Sequence, residues 1–168
     1  NEMPKLAYMT NGQLTCPLVI RTGNGAGVRF GAQHSQSIEN WTMMIPGLKV
    51  VAPSSPVDVI GLFAAAVRDN NPVIFHEHKA LYATKGEVPD GEIVDTLGTA
   101  KILRPGKDCT ILALALMVPR ALEAAETLAR EHGIDAEVID VRSLVPLDTQ
   151  TILGSVARTG RLFTVEEN

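Results

Sequence analysis

The chain has 168 residues, 45% of them hydrophobic and 20% charged, and a formal net charge of −4. That length holds one domain or two small ones, and that apolar fraction can bury a core. The acidic balance, with no run of Lys or Arg, argues against a nucleic-acid partner, and no apolar stretch reaches the ~18 residues of a membrane span.

Pro17 to Arg21 (PLVIR) is a short apolar run and reads as a strand. A glycine-rich loop follows, Gly23-Asn24-Gly25-Ala26-Gly27. Residues 34–44 are expected to form a short helix that opens at His34-Ser35-Gln36-Ser37. Leu48 to Ala52 (LKVVA) is a strand by its β-branched content. Pro53-Ser54-Ser55-Pro56 then supplies a turn, an N-cap and a proline at an early helical position. A helix from Val57 to Arg68 follows, with apolar residues at 59, 62, 63, 66 and 67. Asp69-Asn70-Asn71-Pro72 stops it, and Val73 to Phe75 opens the next strand. This is a β-α-β unit, so the two strands should pair in parallel with a right-handed crossover.

The stretch from Leu81 to Gly98 contains Gly86, Pro89, Gly91 and many charges, and it lacks apolar periodicity. It reads as a linker between domains. A second alternation begins after it: a strand over 110–116 (TILALAL), then a helix over 119–132 with Gly133 as its C-cap. A strand over 136–141 (AEVIDV), a helix over 148–158 behind Pro146 and a strand over 161–165 complete the chain. Aromatic residues make up only 4%. Ala, Val, Leu and Ile carry the apolar side, as suits helices packed on a buried parallel sheet. Cys16 and Cys109 are far apart in apolar runs and read as ordinary buried thiols of an intracellular protein. No signal peptide is visible. The chain opens on Asn1 and closes on Val165-Glu166-Glu167-Asn168, straight after a strand, so both ends read as cut.

Three motifs bear on chemistry. The glycine loop follows a strand, as a dinucleotide-binding loop does, but its spacing fails. The third glycine position holds Val28 or Phe30, and Leu48-Lys49-Val50 stands where an acid is needed. His76-Glu77-His78 is not the zinc pattern H-E-x-x-H, because position 80 is Ala80, and two histidines without a third ligand make a weak metal site. His34, in Gly31-Ala32-Gln33-His34-Ser35-Gln36, lies just after the glycine loop at an expected helix start. A helix N-terminus disfavours imidazolium, so a neutral His34 could exchange protons near neutral pH. From the residues alone, a hydrogen-bonded structural histidine is the more ordinary reading.

Longer runs carry more information. PLVIRTGNGAG, GAQHSQS and IPGLKVVAPSSPVDVIGLFAAAVRDNNPVIFHEHKALY stand in order from Pro17 to Tyr82. LGTAKILRPGKDCTILA, AEVIDVRSLVPLDTQTIL and RTGRLFTVEE follow. Together they resemble the β subunit of E1, the first enzyme of the pyruvate, branched-chain 2-oxo acid and acetoin dehydrogenase complexes, over essentially the whole chain.

The resemblance implies an α/β fold of two parts. A transketolase-like pyrimidine-binding domain with a parallel sheet, partial, would occupy residues 1–82. A linker would follow over 83–99, and the first part of a smaller transketolase C-terminal domain over 100–168. It implies an interior fragment, because the family's cofactor-binding glutamate lies upstream of Asn1; the fragment alone is expected to be inactive. It implies thiamine diphosphate as cofactor, with Mg²⁺ and the diphosphate held mainly by the α subunit. The reaction would be oxidative decarboxylation of a 2-oxo acid, pyruvate favoured, with acyl transfer to the lipoyl domain of E2. The expected partners are the E1 α subunit, in an α2β2 assembly, and the E2 core. The expected location is the bacterial cytoplasm or the mitochondrial matrix.

By position in GAQHSQ, His34 matches the family's active-site histidine, which lies beside the cofactor. By match at AVRDNN, a K⁺ ion would rest on backbone oxygens of Leu18, Ala66, Val67, Asp69 and Asn71. Acetoin or branched-chain 2-oxo acids are the close alternatives. A different thiamine enzyme of the superfamily, such as a deoxyxylulose-phosphate synthase, and a non-catalytic α/β interaction domain are the rivals. The helix over 57–68 and the loop over 23–30 lack the charge of a free surface and are expected to be covered by other chains or segments.

Overall fold

In the computed structural model, which describes residues 1–167, the chain builds two four-stranded sheets. The first has the order β1-β3-β2-β7 and the second β4-β6-β5-β8. β1 (Val19–Asn24), β2 (Lys49–Val51) and β3 (Val73–His78) are joined to β7 (Ser143–Val145). β4 (Lys101–Arg104), β5 (Cys109–Ala113), β6 (Ala136–Asp140) and β8 (Leu162–Val165) make the other sheet.

The first β-α-β unit forms as its residues dictate. α3 (Pro56–Val67) starts with Ser55 as N-cap, whose side chain accepts from the Asp58 amide, and with Pro56 in its first turn. The helix follows two shorter ones, α1 (Leu6–Met9) and α2 (Glu39–Met43). β3 is central and pairs in parallel with both β1 and β2. Its alternate residues face opposite ways. Val73 and Phe75 pack with Val51, Leu62 and Ala66 under α3, and Ile74 packs with Leu48 and Val50 on the other side. Only part of the apolar stripe expected on α3 is buried: Leu62 and Ala66 are sealed, whereas Val59 and Val67 point outward, Val67 being 57% exposed.

The second unit is similar. α4 (Met117–His132) ends at Gly133, which takes φ +64° as a left-handed cap. Its Val118, Ala121 and Ala125 pack on Cys109, Ile111 and Val138. α5 (Thr149–Thr159), capped by the Asp148 side chain, sets Ser155 and Thr159 against Thr110 in a buried cluster of three hydroxyls. Cys109 lies in the core as expected, but Cys16 is only half-buried.

Two expectations need correction. The helix expected over 34–44 is broken: Ala32–His34 is one 3-10 turn and α2 begins only at Glu39. The Ser35 hydroxyl donates to the Gly31 carbonyl at 2.7 Å, a local bond of the kind that competes with helix formation. Two strands, β4 and β7, were not expected. The first sheet is consequently mixed, because β7 runs antiparallel to β2. The segment over 81–98 has no regular secondary structure after Leu81, yet it packs. The Asp95 amide donates to Gly61 of α3 at 3.0 Å, and Leu97 joins the core of the first sheet. No helix among the described residues is long and apolar enough to cross a membrane.

Candidate functional site

The C-terminal end of β1 runs into the glycine-rich loop, and His34 stands at that loop's far side. Gly25, Gly27 and Gly31 take φ of +89°, +88° and +84°, and Arg29 takes +61°, a backbone region that favours glycine. Gly25 is there for a second reason. A side chain on it would lie 2.1 Å from Nε2 of His78, so only a glycine can rest on that ring. His34 ends the 3-10 turn, exposed, and its amide donates to Gly31 at 3.3 Å. The helix-terminus argument for a neutral His34 therefore fails, since the nearest α-helix begins five residues later. Phe30, 62% exposed, lies on the same loop.

Beneath the loop the first sheet is polar. Asn24, His76 and His78 are buried and share one face of the β1–β3 pair. Nε2 of His76 bonds the Thr42 hydroxyl at 2.9 Å. Burial holds its imidazole below the ordinary histidine pKa, opposed by the Glu39 carboxylate. His78 accepts from the Ala80 amide at Nδ1 and meets Glu167 through Nε2 at 2.6 Å. The two histidines thus serve different partners, and no group of three His, Cys, Asp or Glu able to hold a metal occurs among the described residues.

At the C-terminus of α3 the carbonyls split into two sets. Those of Leu18 and Ala66 accept amides from Val73 and Asp69 and keep one lone pair each. Those of Val67, Asp69 and Asn71 receive no backbone amide among the described residues. The Asp69 carboxylate is bound to the Lys49 ammonium and accepts from Asn71. Despite the burial that opposes it, these bonds hold Asp69 below the usual carboxylate range.

A third constellation was not found in the sequence. Arg142, 4% exposed and at φ +53°, joins the two halves of the chain. Its Nη1 reaches Asp58 of α3 at 2.8 Å and Asp95 of the intervening segment at 2.5 Å. Its Nη2 donates to the carbonyl and hydroxyl of Thr99. Beside it, fully buried Asp140 binds the Ser54 hydroxyl and accepts from the Arg142 amide. The sequence signal was present: Asp140 and Arg142 sit in an apolar run, and buried charges persist only when paired.

Burial pushes the Asp140 carboxyl up to about 7, with Asp58 adding to the rise and Ser54 and Arg142 opposing it. An unfolded aspartate ionises near pH ~3.9. Between those values the folded chain holds a proton that the unfolded chain has released, so stability falls as pH rises through the window. Asp140→Asn should remove that slope. The wild type should lose about 4 kcal/mol relative to the variant between about pH 4 and pH 8. Urea unfolding across that range checks this, and parallel profiles for the two proteins would refute it.

Comparison with known proteins places this geometry. Residues 2–85 match the model of the transketolase pyrimidine-binding domain, and residues 98–168 that of the transketolase C-terminal domain. The beta subunit of acetoin:2,6-dichlorophenolindophenol oxidoreductase from Cupriavidus necator is 54% identical over 167 residues, which cover 99% of this chain and 49% of that protein. The pyruvate dehydrogenase E1 component subunit beta of Rickettsia felis is 48% identical, over 99% of this chain and 51% of its own length. A solved split-gene transketolase, described as an inactive beta4 tetramer, superposes with a TM-score of 0.76 at 31% identity, covering 92% of this chain and 49% of that one. The chain thus spans about half the length of the relatives it matches. By its two successive domain matches and its fold, it belongs to the transketolase family, a pyrimidine-binding domain leading into a transketolase C-terminal domain.

Proposed function

We propose that this chain is part of the β subunit of a thiamine-diphosphate-dependent E1, which decarboxylates a 2-oxo acid oxidatively and passes the acyl group to a lipoyl domain of E2. The observation that carries the reading is His34, an exposed imidazole on a loop at the carboxyl end of a parallel strand, where ligands bind in open α/β sheets. The donor set suits one wall of a shared site. This chain offers an imidazole and, at Phe30, an apolar side chain; the diphosphate and Mg²⁺ fall to the α subunit, in an α2β2 assembly. Bound thiamine diphosphate supplies the carbanion chemistry at the 2-oxo carbon. The imidazole of His34 holds and delivers a proton beside the reacting carbonyl oxygen, a contribution of ~10²–10⁴-fold for a placed general acid. Pyruvate is the favoured substrate. Acetoin is the second reading, supported by the 54% identical relative.

The same reading puts K⁺ on the carbonyls of Leu18, Ala66, Val67, Asp69 and Asn71. The carbonyls of Val67, Asp69 and Asn71, which receive no backbone amide among the described residues, support it, as does the negative end of α3 beside them. The test is reconstitution of the polypeptide carrying this chain with an E1 α subunit, assayed with pyruvate, a branched-chain 2-oxo acid and acetoin. Turnover should require both chains and thiamine diphosphate; an assembled pair that turns over none of the three refutes the assignment. Exchanging K⁺ for a tetraalkylammonium ion should lower the thermal midpoint by about 3 °C or more, and an unchanged midpoint refutes the cation site.

A further inference from the structure

The loop that carries His34 is closed at its base by residues from both halves of the chain. The Gly25 amide donates to the Gln36 carbonyl at 2.9 Å, so the loop's two ends meet. Gly25 rests on the ring of His78, close enough that a single added carbon would collide with it. His78 is only 2% exposed, and both of its ring nitrogens are engaged. Nδ1 accepts from the Ala80 amide at 3.2 Å, so it carries no proton. Nε2 must then be the protonated nitrogen, and it donates to Oε2 of Glu167 at 2.6 Å. The same oxygen lies 3.5 Å from the hydroxyl of Ser37, the residue after the loop closes. Glu167 follows the other sheet, two residues beyond the end of β8.

We propose that Glu167 and His78 are positioning residues, a clamp through which the C-terminal domain fixes the loop 25–36 and with it the place of His34. This rests on the reading of His34 as the catalytic imidazole. With both nitrogens committed, His78 exchanges no proton itself; it is a flat, fixed floor for Gly25. Glu167 locks the ring's tautomer and orientation and ties the floor to the other domain. A residue that served only as the cap of the short turn over 79–81 would need the Ala80 bond but not Glu167.

Hydrogen–deuterium exchange on the chain itself tests the clamp. Glu167→Ala should raise exchange in the peptides covering 25–37 by roughly tenfold or more, as expected for losing one hydrogen bond to a charged group. Peptides of β5 and α4 should be unchanged. Glu167→Gln, which keeps an acceptor for Nε2, should restore most of the protection. Nitrogen-15 shifts of His78 should report the Nε2-protonated tautomer in the wild type and a mixture in Glu167→Ala. In the assembled enzyme Glu167→Ala should lower kcat by about tenfold with little change in KM. Loop exchange that ignores Glu167→Ala overturns the clamp, whatever the rates. A loosened loop with unchanged kcat overturns its positioning role. A normal rate for a His34 variant instead overturns the reading of His34 on which that role rests.

Discussion

His34→Ala, in the protein assembled with its α subunit, will lower the overall rate to lipoamide by about 10²-fold or more while leaving the fold intact. The stability half of this expectation follows from the structure. His34 is exposed on a loop, and among the described residues no side-chain bond is made by its ring, so truncation removes no core contact. Cofactor affinity should also persist, because in the proposed function the diphosphate is held by the partner. His34→Asn should retain part of the activity by keeping a donor. Melting temperature, cofactor affinity and steady-state rate measured on one preparation decide the matter. A destabilised protein with a normal rate per folded molecule would make His34 a structural residue.

The second large effect is on stability. Arg142→Ala should cost about 3–5 kcal/mol, the usual penalty for removing one partner of a buried ion pair. It strands Asp58, 2% exposed, with Lys101 at 3.5 Å as its one remaining cation among the described residues. A domain's whole stability is on the order of 5–15 kcal/mol, so the variant should be extensively unfolded at modest urea. Arg142→Lys should fall between, because an ammonium cannot reach Asp58, Asp95 and Thr99 together as the guanidinium fork does. Combining Arg142→Met with Asp58→Asn should recover part of the loss, since neither charge is then left alone. A cost under about 1 kcal/mol for Arg142→Ala would mean that water already screens the cluster.

Local signals made much of the fold readable. Ser55-Pro56 and Asn71-Pro72 bracket α3, Gly133 closes α4, and the apolar stretches Val73-Ile74-Phe75 of β3 and Val138-Ile139 of β6 mark strands that lie inside. What was missed depends on distant partners. β7 is three residues long and is a strand only because β2 lies alongside it. β4 is largely exposed and begins and ends with a charge, so its alternation shows nothing until β6 is in place. The break after His34 turns on a single serine hydroxyl. In the site, His34 could be singled out only by its resemblance to a family pattern. The Arg142 cluster and the His78–Glu167 pair join residues that lie far apart in sequence, and no periodicity announces such meetings.

The antiparallel seam between β2 and β7 has a bearing on how the protein is made. The first sheet has its last strand supplied by the second half of the polypeptide. As the chain leaves the ribosome, β1, β3 and β2 can assemble early. The outer edge of β2 must then wait, with its amides and carbonyls unpaired, until Val145 has emerged. An open edge of that kind recruits strands from neighbouring nascent chains. Slower translation through the stretch between β3 and β7 is therefore expected to lengthen the time for which that edge stands open.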